Sequence, residues 1–296
     1  MTTDPIMVTG HTGFLGRAVG AVLDQHGRDW FGAARSVGID LELPGALNDS
    51  PQASAVVHLA GRVAELDSWQ RPADFHRTNY LSTLEGLEYA RRCGAHFIYV
   101  SSYMYGAAQV EVIDESQPVD VLSPYAASKR QGEIIAETYA RLHGLDVTIL
   151  RPFNVFGPGQ PTHQLMPYVI DQAVASDTIS VADLAPRRDW LWSGDFALAV
   201  LAVLDQRPSG LNVFNLGTGV GISVQDVIDA VLAQTGPRRV ICRNEARRNE
   251  ILSAVCDNRK FRDAFGWAPR TSLAEGIRIL LDQTDAQPVP RSSTTG

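Results

Sequence analysis

Short apolar runs at Ile6 to Thr9, Trp30 to Ala34, Ala55 to Leu59, His96 to Ser101 and Val147 to Leu150 alternate with stretches of helical spacing. Those stretches run from Phe14 to His26, Thr78 to Arg92 and Pro124 to His143. The alternation predicts a parallel sheet covered by helices on both faces, a doubly wound α/β fold. A nearly continuous apolar run such as Ala55-Val56-Val57-His58-Leu59 suits a strand buried in the middle of that sheet. After Arg151-Pro152 the rhythm loosens into a loop holding Gly157-Pro158-Gly159. Helices are then expected at Gln164 to Ser176, Asp195 to Leu204, Val224 to Gln234, Asn258 to Phe265 and Ser272 to Leu281, and strands at Thr178 to Val181, Asn212 to Asn215 and Val240 to Cys242.

The expected organisation is a Rossmann-type nucleotide-binding domain over residues 1–152 and a smaller C-terminal, mainly substrate-binding lobe over residues 153–286. Some segments of that lobe are expected to cross back to the first domain. The tail 287–296, rich in Pro, Ser and Thr, reads as disordered.

Composition narrows the function classes. With 45% hydrophobic and 20% charged residues the chain is of ordinary globular type, and no apolar run approaches the roughly 20 residues of a membrane span. A formal net charge of −7 argues against a nucleic-acid binder, which needs a basic face to neutralise phosphates. The opening Met1-Thr2-Thr3-Asp4-Pro5 lacks the basic and apolar regions of an export signal. Cys93, Cys242 and Cys256 have no metal-ligand spacing and read as free thiols, so a cytoplasmic location is expected.

Candidate chemistry begins at Thr9-Gly10-His11-Thr12-Gly13-Phe14-Leu15-Gly16, between the first strand and the first helix. Glycines there let the backbone approach a pyrophosphate, and the helix N-terminus offers it N–H groups and a positive dipole. The spacing Gly10, Gly13, Gly16 differs from the general Gly-x-Gly-x-x-Gly fingerprint, and an ordinary glycine turn is the alternative. The second strand ends in Arg35-Ser36 where an acidic residue for the ribose hydroxyls is usual. An arginine can pair with a 2′-phosphate there, which favours NADP and leaves NAD open.

Ser123-Pro124 marks a helix start, and Tyr125 and Lys129, four residues apart, share a face of that helix. The chain has only two lysines, Lys129 and Lys260. A tyrosine whose pKa of about 10 is lowered by an adjacent ammonium and a positive nicotinamide can act as acid and base near neutral pH. The same compact ammonium can reach ribose hydroxyls, so both side chains are also cofactor neighbours. Ser101, at the end of the fourth strand, would share a hydrogen bond with the substrate oxygen.

Taken together, these motifs resemble the extended short-chain dehydrogenase/reductases, the group of sugar-nucleotide epimerases, dehydratases and reductases. The resemblance runs from about Ile6 to Leu281 and adds Asp40-Leu41, His58-Leu59-Ala60-Gly61, Asn79, Ser101 to Gly106 and Leu150 to Gly159 to the turn and the Tyr125/Lys129 pair. It implies that Ser101, Tyr125 and Lys129 form a catalytic triad and that Asp40 and Leu41 border the adenine. Leu59, Ala60, Gly61 and Asn79 would flank the nicotinamide end. Asn154, Arg188 and Arg247 would hold a nucleotide diphosphate, with Ser102 and Tyr103 beside the sugar. Homodimers packed through two helices of each subunit are common in the group, and the helices Thr78 to Arg92 and Pro124 to His143 could form such a bundle.

Dehydratases of the group carry an Asp-Glu pair where Ser102 and Tyr103 stand, and reductases that also epimerise beside the ketone place a cysteine at Tyr103. Two enzyme readings therefore remain, a 4-epimerase and an NADPH-dependent 4-keto-sugar-nucleotide reductase, with the epimerase favoured by analogy. A non-catalytic, redox-sensing nucleotide-binding protein is a third reading, against which the complete Ser101, Tyr125 and Lys129 set weighs.

Overall fold

A computed structural model describes residues 4–106, 110–245 and 251–285. The first part of the chain forms β1 (Ile6–Thr9), α1 (Phe14–Gln25), β2 (Trp30–Ala33), β3 (Ala55–His58), α2 (Glu65–Gln70), α3 (Pro72–Cys93), β4 (His96–Val100), β5 (Val112–Ile113), α4 (Pro124–His143) and β6 (Val147–Pro152). The remainder forms β7 (Asn154–Phe156), α5 (Leu165–Ala175), β8 (Thr178–Val181), β9 (Arg187–Trp192), α6 (Ser193–Gln206), β10 (Leu211–Leu216), β11 (Gly221–Ser223), α7 (Val224–Thr235), β12 (Arg239–Cys242), β13 (Ser253–Cys256), α8 (Arg259–Phe265) and α9 (Leu273–Asp285).

Six parallel strands make the main sheet in the order β10-β6-β4-β3-β1-β2. The chain runs one way from β1 to β2 and the other way from β3 onward, so the switch point of this Rossmann-like fold lies at the carboxyl ends of β1 and β3. Ala55, Val56 and Val57 are fully buried, because helices cover both faces of the sheet. On one face Val19 and Leu23 of α1 and Phe196, Val200 and Val203 of α6 pack with Phe261. On the other, Leu87 and Ala90 of α3 and Ala136 and Tyr139 of α4 pack over Met7, Val56, Phe97 and Ile149. A third core holds Phe156, Trp190 and Trp192 against Met166, Val169, Val227, Ile228 and Ile277, outside the main sheet.

The sequence pattern finds the main-sheet strands and their helices within a residue or two, except that α3 begins at Pro72, six residues before the expected Thr78. Proline at the first helical turn, where its missing N–H costs nothing, explains that start. The pattern misses β5, β7, β9, β11 and β13, which are short or carry charges such as Arg187, Arg188 and Asp189. It also misses the six-residue α2. The tail 287–296 lies outside the described residues. Among the described residues no helix is long and apolar enough to cross a membrane, and no cluster of His, Cys, Asp or Glu could hold a metal ion.

One polar network crosses the interior. Arg151, 7% exposed, makes a bidentate pair with Glu133, 3% exposed, through Nε to Oε1 at 2.8 Å and Nη2 to Oε2 at 2.7 Å. Its Nη1 donates to the Tyr105 hydroxyl at 2.8 Å, which donates to Asn215 Oδ1 at 2.5 Å. α4, β6, the segment after β4 and β10 are thereby tied at one point beneath the sheet's carboxyl edge.

Candidate active site

The glycine turn is shaped by contact. Gly10 has φ +67° and a Cβ there would lie 2.9 Å from the Ala60 backbone nitrogen; at Gly16 a Cβ would lie 2.3 Å from the Gly10 carbonyl oxygen. Only glycine lets the turn close this tightly against the first turn of α1. The N-terminus of α1 at Gly13 has no side-chain cap, and its first turn, with Phe14 and Leu15, holds no acidic residue. Backbone N–H groups and helix dipole are thus left for an anion, which fits a cofactor pyrophosphate.

Thr9 fixes the switch point. Its hydroxyl accepts from the backbone N–H of Leu59 at 3.1 Å and of Ala60 at 3.2 Å, and shares a 3.0 Å bond with Nδ1 of His58. Full burial, with the Lys129 charge nearby, brings His58 down to about 3, so the ring stays neutral and structural. On the adenosine side Ser36 donates to the Thr12 hydroxyl at 3.1 Å, and Leu41 is buried. Arg35, 54% exposed, is paired with Asp40 at 3.1 Å and with Glu42. Two carboxylates therefore already hold the guanidinium that the sequence assigns to a 2′-phosphate.

Asn79, expected beside the nicotinamide, is 1% exposed and fully engaged. Its Oδ1 accepts from Arg62 N at 2.7 Å, while Nδ2 donates to the Arg62 carbonyl at 3.1 Å and to Ser128 Oγ at 2.7 Å. It braces the loop after Gly61 against the helix that carries Tyr125 and Lys129.

That helix starts as its sequence dictates: Ser123 Oγ accepts from Ala126 N at 3.1 Å and Pro124 occupies the first turn. Lys129 is buried, with Nζ 4.5 Å from the centroid of Tyr99. Burial lowers the Lys129 ammonium to about 8, and Glu133 opposes the fall. Tyr125 meets Phe75 edge-on at 6.3 Å. Its hydroxyl is raised to about 12, by burial first and by Glu65 and Tyr103, against a hydrogen bond with Ser102 that lowers it. The expected lowering of Tyr125 is therefore not a property of the protein alone: without a cofactor's positive charge, desolvation outweighs the Ser102 hydrogen bond.

The serines also differ from expectation. Ser101, at the end of β4, is buried and its hydroxyl faces Glu133. Burial would raise the Glu133 carboxyl, but Arg151, the Ser101 hydroxyl and Arg130 hold it below its usual value. The hydroxyl beside Tyr125 is that of Ser102.

On the far side of the site Tyr103 stacks on Phe153 at 4.6 Å. Its hydroxyl is raised by burial, with Arg188 lowering it through charge and a hydrogen bond and Glu65 raising it. Asn154 and Trp190 are register partners of β7 and β9, and Asn154 Oδ1 and Trp190 Nε1 are both buried without a hydrogen-bond partner among the described residues. Buried polar atoms rarely stay unpaired, so these two fit a ligand that brings its own donors and acceptors. Asp189, between Arg188 and Trp190, is structural: its carboxylate receives Thr218 N and Oγ1 at 2.7 Å each and Gly219 N at 2.8 Å. Arg247 lies outside the described residues.

Sequence reasoning overlooks Glu65 and Glu133. The second was within reach, four residues beyond Lys129 on one helix face. Glu65 has no sequence signal, since only the packing of α2 on α4 brings it near Tyr125.

The site combines a glycine-lined anion seat with a tyrosine and a lysine below the switch point, and the chain as a whole is similar to known proteins. The putative UDP-glucose 4-epimerase of Methanocaldococcus jannaschii is 30% identical over 234 residues, 77% of this chain and 75% of that protein. The dTDP-glucose 4,6-dehydratase of Streptomyces antibioticus is 32% identical over 235 residues, 78% of this chain and 70% of that protein. The structure of RMD from Pseudomonas aeruginosa complexed with NADPH superposes with a TM-score of 0.88 at 26% identity, covering 96% of this chain and 99% of that one. With residues 6–217 matching its pattern, the chain belongs to the NAD dependent epimerase/dehydratase family.

Proposed function

We propose that the chain is a sugar-nucleotide 4-epimerase, acting by transient oxidation at C4, rotation of the keto-sugar and re-reduction on its other face. The observation that carries this reading is the Tyr125/Lys129 face, with Lys129 buried and Tyr125 hydrogen-bonded to Ser102, and hydroxyl groups in place of carboxylates at Ser102 and Tyr103. Elimination of water needs an acid and a base at neighbouring carbons, and neither Ser102 nor Tyr103 supplies the carboxylates that dehydratases of the group carry at these two positions.

Gly10 to Gly16 would hold the pyrophosphate of a nicotinamide cofactor, which would supply reversible hydride chemistry when bound. Tyr125 takes the C4 hydroxyl proton and gives it back, while Ser102 orients the phenol. Lys129, at about 8, is largely protonated at neutral pH and lends Tyr125 the positive charge that favours the phenolate. Leu59, Ala60 and Gly61 wall the nicotinamide end, and Asp40 and Leu41 the adenine. Asn154, Trp190 and Arg188 receive the nucleotide diphosphate, with Tyr103 between them and the sugar. The putative UDP-glucose 4-epimerase from M. jannaschii supports a nucleoside-diphosphate sugar as substrate.

The reductase is the second reading, and Arg35 with Ser36 favours it by favouring NADP. Asp40 and Glu42 counter that charge, so the preference over NAD is expected to be modest. The subunit is proposed to dimerise through α3 and α4, which pack side by side and expose Tyr80 and Ile134 along a groove of about 650 Å³.

Tyr125→Phe is expected to cut epimerisation of UDP-glucose or another active sugar nucleotide by about 10²–10⁴-fold with cofactor affinity nearly unchanged. Near-normal turnover would sink the mechanism. Glu65→Gln removes a negative charge that raises Tyr125, so the ascending limb of the kcat against pH profile is expected to move to lower pH. A limb that stays put or moves up would contradict the placement of Glu65. Light scattering at micromolar concentration is expected to give the mass of a dimer, and a monomer mass rejects the α3/α4 interface.

A further inference from the structure

Arg17, on the first turn of α1, is not part of the machinery described above, yet it makes two hydrogen bonds that span the site. Its Nη1 donates to the Thr12 carbonyl at 2.7 Å and its Nη2 to the Gly159 carbonyl at 3.2 Å. Thr12 belongs to the glycine turn, and Gly159 to the loop between β7 and α5, just beyond Asn154. The two bonds therefore join the seat of the cofactor pyrophosphate to the segment that carries a diphosphate ligand of the substrate.

The loop is built for this contact. Gly159 has φ +75°, and a Cβ there would lie 2.2 Å from Arg17 Nη2. A Cβ at Gly157 would lie 2.1 Å from Ser193 Oγ and 3.6 Å from the Phe14 ring, so both glycines press the loop onto the start of α1 and α6. The loop is also stiff. Gln160, 8% exposed, donates through its backbone to Gly157 O at 3.2 Å and through Nε2 to Val155 O at 3.2 Å and Gln164 Oε1 at 2.6 Å. Movement at Gly159 is thus passed to the backbone beside Asn154. On the other side the Thr12 hydroxyl is held by Ser36, so the linkage continues to the ribose end of the cofactor seat.

We propose that Arg17 is a positioning residue that clasps the substrate-diphosphate loop onto the cofactor turn, so that retention of the cofactor and grip on the nucleotide diphosphate rise and fall together. A planar guanidinium suits the task because its fork reaches two carbonyls at once, whereas an ammonium is a single point charge. Such coupling serves an enzyme that keeps its cofactor while sugar nucleotides exchange. It rests on the cofactor seat proposed above.

The test uses the full chain and its Arg17→Met, Arg17→Lys, Gly159→Ala and doubly substituted Arg17→Met/Gly159→Ala variants. Dissociation of bound NADH or NADPH is followed by stopped-flow fluorescence, and UDP affinity of the cofactor-loaded protein by calorimetry. Arg17→Met and Arg17→Lys are each expected to speed cofactor release about tenfold and weaken UDP several-fold, with the double variant no worse than Arg17→Met alone. Arg17 is exposed, so its single variants are expected to fold, and circular dichroism checks them and the variants that place alanine at the positive φ of Gly159. Unchanged release, full retention by Arg17→Lys, independent effects that multiply in the double variant, or faster release with unaltered UDP affinity would each overturn the clasp. Failure of the unsubstituted protein to bind either dinucleotide would instead refute the cofactor seat.

Discussion

The bidentate pair between Glu133 and Arg151 is the interaction on which the site's geometry depends. Two charges taken out of water carry a desolvation cost of several kcal/mol each, which their attraction offsets only when the remaining donors and acceptors are also satisfied. Here they are: Arg130 and the Ser101 hydroxyl add to Glu133, and Tyr105 adds to Arg151. Glu133 sits on the same helix as Tyr125 and Lys129, about two turns beyond the first and one beyond the second. Fixing it to β6 fixes the height and rotation of that helix over the carboxyl edge of the sheet. The same carboxylate partly compensates the burial of Lys129, so one pair sets both position and charge.

A second constraint is electrostatic. Tyr125 and Tyr103 are both raised by burial, and the nearby charges divide by side: Arg188 lowers Tyr103, whereas Glu65 raises both phenols. The protein alone thus holds its acid and base in the protonated form. A positive charge placed above Tyr125 would be needed to release the proton, which ties proton transfer to an occupied cofactor seat. Asn79 and Thr9 serve the same end mechanically, by locking the loops after β1 and β3 to each other and to the Tyr125 helix.

Much of this was legible in the sequence because it rests on local signals. The β1-turn-α1 unit needs glycine at Gly10 and Gly16 for close backbone approach, and the start of α4 carries its own cap in Ser123 and Pro124. The Rossmann-like parallel sheet follows from strands too apolar to face water. What stayed hidden depends on contacts distant in sequence. β9 reads as polar because the buried Asp189 is satisfied by distant partners, Thr218, Gly219 and Cys256, and β7, β11 and β13 are too short to show a period. Which of two adjacent serines turns toward Tyr125 is decided by Glu133, 32 positions beyond Ser101, and the quenching of Arg35 by Asp40 and Glu42 depends on the path of the loop after β2. Family membership and the α/β fold are therefore firm, while cofactor choice and the reacting carbon rest on side-chain geometry that no spacing rule encodes.

The central claim is that the cofactor is kept between turnovers, as an epimerase requires. The most direct test is mass spectrometry, with stoichiometry, of nucleotides released by denaturing freshly purified protein. The account predicts close to one NAD or NADP per chain. An empty protein that then consumes NADPH in the presence of a 4-keto-sugar nucleotide would contradict it and make the chain a reductase.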